Sequence, residues 1–414
     1  MFRQLVRLDD RRATVIVGPR RVGKSVLLWQ LADALLDEGW PPGNITYCDF
    51  SDDRFTAPLP TPREIAEVAP PAMDPRHPRA FLLDEIGSTE KWAAWLKQAV
   101  DTTPHRIVAT DSAAVLLRQG GRESGMGRWD EHCMEGLTFL EYLGLQAQPG
   151  ESAEAVLTRL PDPVERYLAA GGYPEHVLSD DLSQVRRRIR ADVVDRAILR
   201  DIQRIGVRHV GKLKDLFVYL VEDSGAILDA TARANDVGAD PRSVAEWVRL
   251  LEETFLLAPL ERHSGRATAR LRGRAKPKIY AADHGLIVAF APVDRPWTHP
   301  DVRGRVFEAT VFRHLRGVVH ELGGNLAYFR LPDGRLEIDL VLSNPDEVVA
   351  IEVTSSDIRA DKVDRLHQAA EQLGASRKVL IHGGIGEKEQ RGVHCLPIHR
   401  FLLHPEGVVS AKGN

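Results

Sequence analysis

The chain has 414 residues, more than one hydrophobic core usually serves, so two or three domains are expected. A hydrophobic share of 43%, a charged share of 28% and a formal charge of −4 exclude a globally basic nucleic-acid binder, so any such contact must come from local patches. Cys48, Cys133 and Cys395 have no paired spacing, which argues for a reducing compartment and against structural zinc. No apolar run reaches bilayer-spanning length and the opening MFRQLVRLDD has no signal-peptide core, so a cytoplasmic location is expected.

The first strand expected is ATVIV (13–17), and GPRRVGKS (18–25) follows it directly. Gly18, four residues and then Gly23-Lys24-Ser25 suit a backbone loop wrapped around a phosphate chain. In that reading the cofactor-binding set is Gly18, Pro19, Arg20, Arg21, Val22, Gly23, Lys24, Ser25 and Val26. Amides point inward, Lys24 meets the β/γ-phosphates of ATP and Ser25 offers a hydroxyl to Mg²⁺. The amphipathic stretch Lys24–Glu38 supplies the following helix. The alternative is a basic strand-to-helix turn without a ligand.

Further strands are expected at 45–50, 80–84 and 106–110, giving a doubly wound parallel sheet over residues 1–135. AFLLDEIGS (80–88) ends its apolar run in Asp84-Glu85. Asp84 can hold Mg²⁺ and Glu85 can polarise the attacking water; an N-cap followed by a first-turn acid is the other reading. RIVATDSA places Thr110, Asp111 and Ser112 at the next strand end, where a polar group can sense the γ-phosphate or cap a helix. Trp92, Trp95, Leu96 and Ala99 fall at helical spacing and read as core rather than a base-stacking platform.

From about 154 to 200 the pattern is helical, broken at AAGGYPEHV (169–177). Residues 208–283 then follow helix-turn-helix grammar: Gly238 for a positive φ, Asp240 as a cap, Pro241 at the first helical position. The second helix would bury Val244, Val248 and Leu251 and turn Arg242, Ser243, Glu246 and Arg249 outward. Two strands around a loop come next, with seven basic residues and no acid between Arg262 and Lys278. A winged helix fits, with Arg242, Arg249, Arg266, Arg270, Arg272 and Arg274 as candidate contacts to double-stranded DNA. A solvated hairpin, or a protein partner, is the alternative.

Residues 300–414 read as α-β-β-β-α-β, with Glu308 on the opening helix and Asp339 and Glu352 near strand ends. Two such carboxylates on adjacent strands can share Mg²⁺ in a nuclease core. A lysine is usually found two positions after the second; here it is Thr354. Lys362, early in the next helix, and Lys378 are candidates to reach in for it, which spacing alone does not decide. An inactive nuclease-like scaffold is the favoured reading.

With these segments in view, the chain resembles the bacterial and archaeal AAA+-type P-loop ATPases that carry a C-terminal domain of unknown function, a winged helix plus a PD-(D/E)XK nuclease-like fold. The markers are GPRRVGKS, FLLDEI, ATDSAAVLL, GRWDEHCMEGLTFLEYL, GGYPE, KPKIYAADHGL, GRVFEATV, EIDLVL and IEVTSS, spread over almost the whole length. The resemblance implies an α/β fold: a P-loop core of the ASCE/AAA+ kind at 1–135, a helical lid-like segment at 136–205, a winged helix at 206–298 and a restriction-endonuclease-like domain at 299–414. It matches Lys24 and Ser25 to Walker A, Asp84 and Glu85 to Walker B, and Ser112 to the polar residue of the fourth strand. Gly127-Arg128 matches a Gly-Arg whose arginine senses nucleotide or forms a structural ion pair. Two departures stand out: Asp111 in place of glycine, and Thr354 in place of lysine. The implied activity is an ATP-driven switch, in genome maintenance or defence, with an ATP-gated Mg²⁺ endonuclease and a nucleotide-controlled scaffold as alternatives.

Overall fold

The computed structural model describes residues 12–55, 58–71, 73, 78–113, 127–203, 206–207, 209–263, 276–293, 296–331 and 333–409. The chain divides into two compact units: Met1–Glu135 with Asp192–Val210 and Glu253–Phe255, and Gly136–Ala191 with Gly211–Glu252 and Leu256–Asn414. The helical segment after residue 136 is thus shared between them, the break falling between Ala191 and Asp192.

In the first unit, β1 (Ala13–Val17), β2 (Ile45–Asp49), β3 (Ala80–Asp84), β4 (Arg106–Asp111) and β5 (Trp129–Cys133) form one parallel sheet in the order β2-β3-β4-β1-β5. β1 and β3 are buried along their whole length, as a sheet covered on both faces requires. Side-chain alternation sends Ile16, Leu82 and Val108 to one face, against Leu27, Leu28, Leu31 and Leu35 of α1 (Lys24–Asp37). Val15, Phe81, Leu83 and Ala109 go to the other, against Trp92, Trp95 and Leu96 of α3 (Trp92–Thr102), so both tryptophans are core. The short α2 (Pro62–Val68) starts in a capping box, Thr61 with Glu64. β5 was not expected: WDEHC carries three polar residues because it is a sheet edge. Two π-helical stretches, Ile189–Asp195 and Ala197–Ile202, close the helical run, and most of this part belongs to the first unit.

The second unit opens with α4 (Phe139–Gln146), α5 (Ala153–Arg159), α6 (Pro163–Ala170) and α7 (Leu182–Arg188). The Gly-Gly break after α6 has a structural cause. Gly171 holds φ 82°, and a Cβ there would lie 2.5 Å from Asp283 Oδ1, while the Gly172 amide donates to the same carboxylate. Asp283 in turn pairs with buried Arg313 at 3.4 Å.

Next come α8 (Val210–Glu222), β6 (Ala226–Ile227), α9 (Ala230–Val237), α10 (Pro241–Glu253), β7 (Leu257–Leu260) and β8 (Lys278–Ala281), an α-β-α-α-β-β series with an antiparallel sheet in the order β6-β8-β7. Asp240 caps α10 through the amides of Arg242 and Ser243, both at 3.0 Å, and Gly238 takes φ 63° before it.

After α11 (His284–Phe290) and α12 (Pro300–Leu322), the strands β9 (Asn325–Arg330), β10 (Glu337–Ser343), β11 (Val348–Thr354), β12 (Arg377–His382), β13 (Lys388–Gln390) and β14 (Val393–Pro397) form a mixed sheet in the order β13-β14-β12-β11-β10-β9. α13 (Ala360–Leu373) links β11 to β12, which are parallel, and packs Val363, Leu366, Ala369 and Ala370 on the sheet. The order through β12 is the α-β-β-β-α-β that the sequence implies; β13 and β14 extend the sheet beyond it. The chain ends in α14 (Ile398–Leu403) and α15 (Glu406–Val409).

Candidate functional site

β1 delivers the loop Gly18–Gly23 to the carboxyl edge of the sheet, where α1 begins. Gly18 is required by a neighbour: a Cβ would sit 2.1 Å from the Met134 carbonyl oxygen, on the chain leaving β5. Gly23, at φ 101°, is the N-cap of α1, and Lys24 is its first residue. The opening amides of the helix have no partner within it, so they are available to an anion. Lys24 is buried, and its Nζ donates to the carbonyls of Gly18 at 2.9 Å and Pro19 at 2.8 Å. Burial lowers its pKa, opposed by the nearby charges of Glu85, Asp111 and Asp84. Val22 is buried and Val26 is exposed, so only the first packs into the core.

Asp84 ends β3 inside a ring of hydroxyls. Thr110 Oγ1 donates to one carboxylate oxygen, Tyr47 OH to the other at 3.2 Å, and the Ser25 side chain is also bonded to it. Burial nevertheless raises the Asp84 pKa. Glu85, the next residue, adopts a left-handed φ of 53°, a costly conformation for a residue with a Cβ. That turn carries its carboxylate to Ser112, whose Oγ donates at 2.8 Å and whose amide donates at 3.4 Å. Asp111 plays a different part: it accepts from the amides of Gly87 at 2.6 Å and Ala113 at 2.9 Å, tying the turn after β3 to the end of β4. Burial, with the charge of Glu85 second, pushes its pKa up to about 8.

The loop arginines are held by the π-helical stretches. Arg20 Nε and Nη2 donate to the two carboxylate oxygens of Asp201 at 3.0 and 2.6 Å, and Arg21, at φ 67°, pairs with Asp192 at 3.4 Å. Burial works against the charges of both Arg20 and Asp201, and their mutual bond opposes that penalty. Arg128 forms an ion pair with Asp101 at 3.0 Å. The donor set, a buried ammonium and helix-start amides beside a hydroxyl and a carboxylate, fits a nucleoside triphosphate with Mg²⁺. Tyr47, Asp192 and Asp201 escape sequence reasoning; Asp201 lies 181 residues from its partner, with no local pattern to mark it.

In the second unit Arg242 and Arg249 are exposed on α10, as are Ala245 and Glu246. Arg266, Arg270, Arg272 and Arg274 lie outside the described residues. Lys278 belongs to the same basic stretch but turns inward: its ammonium lies 3.6 Å from Glu308, 2.8 Å from Glu337 and 3.4 Å from Asp339. Thr354 Oγ1 is engaged locally with Ser356 Oγ at 3.0 Å. Lys362 donates to Glu352 at 3.1 Å, so α13 returns a lysine to that carboxylate; Lys378 instead pairs with Glu371. Burial first, then the charge of Asp339, pushes Glu308 up to about 7 and Glu352 up to about 8. Among the described residues, no group of three His, Cys, Asp or Glu side chains is arranged to hold a metal ion.

Residues 10–143 match the AAA domain model, residues 162–296 a domain of unknown function (DUF8612) and residues 303–401 a domain of unknown function (DUF4143). An uncharacterized protein of Haemophilus influenzae is 28% identical over 293 residues, covering 69% of this chain and 71% of that protein. Among solved structures, the replication initiator DnaA bound to AMPPCP and single-stranded DNA gives a TM-score of 0.30 at 12% identity, over 61% of this chain and 86% of that one. The ADP form of the Aeropyrum pernix ORC2 protein gives 0.29 at 11%, over 66% and 84%. At these scores the structural likenesses carry no functional weight. The AAA match and the parallel five-stranded sheet together show an AAA-type P-loop domain at the start of the chain. No helix among the described residues is long and apolar enough to cross a membrane.

Proposed function

We propose that the chain is an ATP-hydrolysing switch in which the P-loop unit binds and cleaves ATP and the second unit presents a DNA-binding winged helix beside a nuclease-like fold. The observation that carries the catalytic part is the Lys24, Asp84, Glu85 and Ser112 constellation, assembled from three strand ends. Lys24 and the amides that open α1 would hold the β/γ-phosphates, while Ser25 and Asp84 would hold Mg²⁺. The ion, when bound, neutralises charge developing on the phosphates. Lys24 must leave the Gly18 and Pro19 carbonyls to reach an anion; both are neutral acceptors, and a bond to an ionised phosphate oxygen adds the attraction of opposite charge. Ser112 orients the Glu85 carboxylate, which draws the proton from the attacking water as its general base.

The α-β-α-α-β-β series supports the winged-helix reading, with Arg242 and Arg249 on the exposed face of its second turn-flanking helix. Lys362 beside Glu352 favours, as a second reading, an ATP-gated Mg²⁺ endonuclease. Steady-state ATP hydrolysis with and without double-stranded DNA tests the proposal. Lys24→Ala should lose nucleotide binding, and Glu85→Gln should bind ATP with turnover reduced roughly 100-fold or more, the usual scale for a lost general base. Normal turnover in either variant would refute the site.

A further inference from the structure

The carboxylates Glu308, Asp339 and Glu352 are where a nuclease-like fold would place its divalent ion, and the structure shows a different cation among them. Lys278 enters from β8, its side chain only 3% exposed, and reaches Glu337, Asp339 and Glu308 within 3.6 Å. Further polar groups among the described residues join this arrangement. Tyr280 OH donates to Glu308 at 2.6 Å, the Val353 amide to Asp339 at 3.2 Å and Lys362 to Glu352 at 3.1 Å. We propose that the Lys278 ammonium is a built-in counter-ion that takes the place of the divalent metal, so that this cluster is a metal-independent junction between β8, α12 and β10.

Sterics and charge agree. An Mg²⁺ ion sits roughly 2.1 Å from its oxygen ligands, so an ion sharing the oxygens of Glu308 and Asp339 would collide with the ammonium or stand beside it in mutual repulsion. Lys278 cannot step aside cheaply, because its side chain is only 3% exposed and moving it would break its buried pairs with Glu337 and Asp339. Burial opposes its charge, and the acidic side chains of Glu308, Glu337 and Asp339 within 3.6 Å offset that cost. Lys362 supplies a second positive charge to the cluster.

The inference rests on the nuclease-like reading only for the expected position of the ion. Mn²⁺ binding to the full-length, nucleotide-free chain, counted by electron paramagnetic resonance, tests it. Wild type and Asp339→Asn should bind the same number of ions, since any site at Asp84 is common to both. Lys278→Met keeps the stem length, removes the charge and should gain one ion per chain, which Lys278→Met with Asp339→Asn should lose again. A wild-type ion that disappears in Asp339→Asn would overturn the proposal, and so would a folded Lys278→Met chain that gains none. The comparison of wild type with Asp339→Asn decides the matter even if Lys278→Met does not fold. DNA cleavage by Mn²⁺-loaded Lys278→Met would support the inference and the nuclease-like reading together; a gained ion without cleavage supports the inference alone.

Discussion

Two non-glycine residues of the candidate nucleotide site, Arg21 and Glu85, hold left-handed backbone conformations, and each points its side chain at a named partner, Asp192 and Ser112. Strain of this sort persists only where surrounding structure enforces it. Ser112→Ala should therefore leave nucleotide affinity unchanged and lower kcat, because it removes the hydroxyl bond that orients the Glu85 carboxylate without touching the loop; a change in affinity with kcat intact would contradict this role. Asp111 carries a pH signature. Its carboxyl is held up at about 8 in the folded chain against 3.8 in an ordinary environment, so the folded state keeps a proton that the unfolded state loses. Stability from this group is full below about pH 4 and is lost as pH rises through about 8. Asp111→Asn removes the titration, so its melting temperature should gain on wild type as pH goes from 5 to 8. A constant gap across that range would show that Asp111 is not buried as described.

Asp201 and Asp192 lie on consecutive π-helical stretches, and together they hold two adjacent loop residues. Arg20→Ala would leave the nearly inaccessible Asp201 carboxylate without its partner, a loss on the order of 3–5 kcal/mol of stability. Asp201→Asn should cost less, since a neutral amide can still accept from the guanidinium. Urea unfolding of both variants measures the difference, and equal effects would argue against a buried pair. The sequence made the loop itself legible because a phosphate grip needs fixed residue types at fixed spacing. It also exposed β1, β3 and β4, whose burial on both faces leaves continuous apolar runs. It hid β5, an edge with polar side chains, as well as β13 and β14, which complete the second sheet. The π-helical clasp was hidden for another reason: a carboxylate buried against a partner far along the chain leaves no periodic trace.

At the scale of the whole chain, the basic stretch from Arg262 to Lys278 shows what composition can and cannot say. Its excess of positive charge was plain, yet Lys278 faces inward and Lys276 meets Asp229 at 2.8 Å, so charge density alone does not define a DNA-facing surface. Arg242→Gln and Arg249→Gln give the cleaner test. Each should weaken duplex binding almost uniformly across sequences and lower the salt slope by about one. An unchanged slope would move the partner from DNA to protein. The π-helical stretches bear on the loop that they hold. A π turn accommodates one more residue than an α turn, and these turns are uncommon and frequently functional. Relaxation of residues 189–202 to ordinary α-helix would expel that surplus and rotate the helix about its axis. Both aspartates would swing away from the loop in one stroke, so a shift in winding, with no hinge at all, would unlatch Arg20 and Arg21 together.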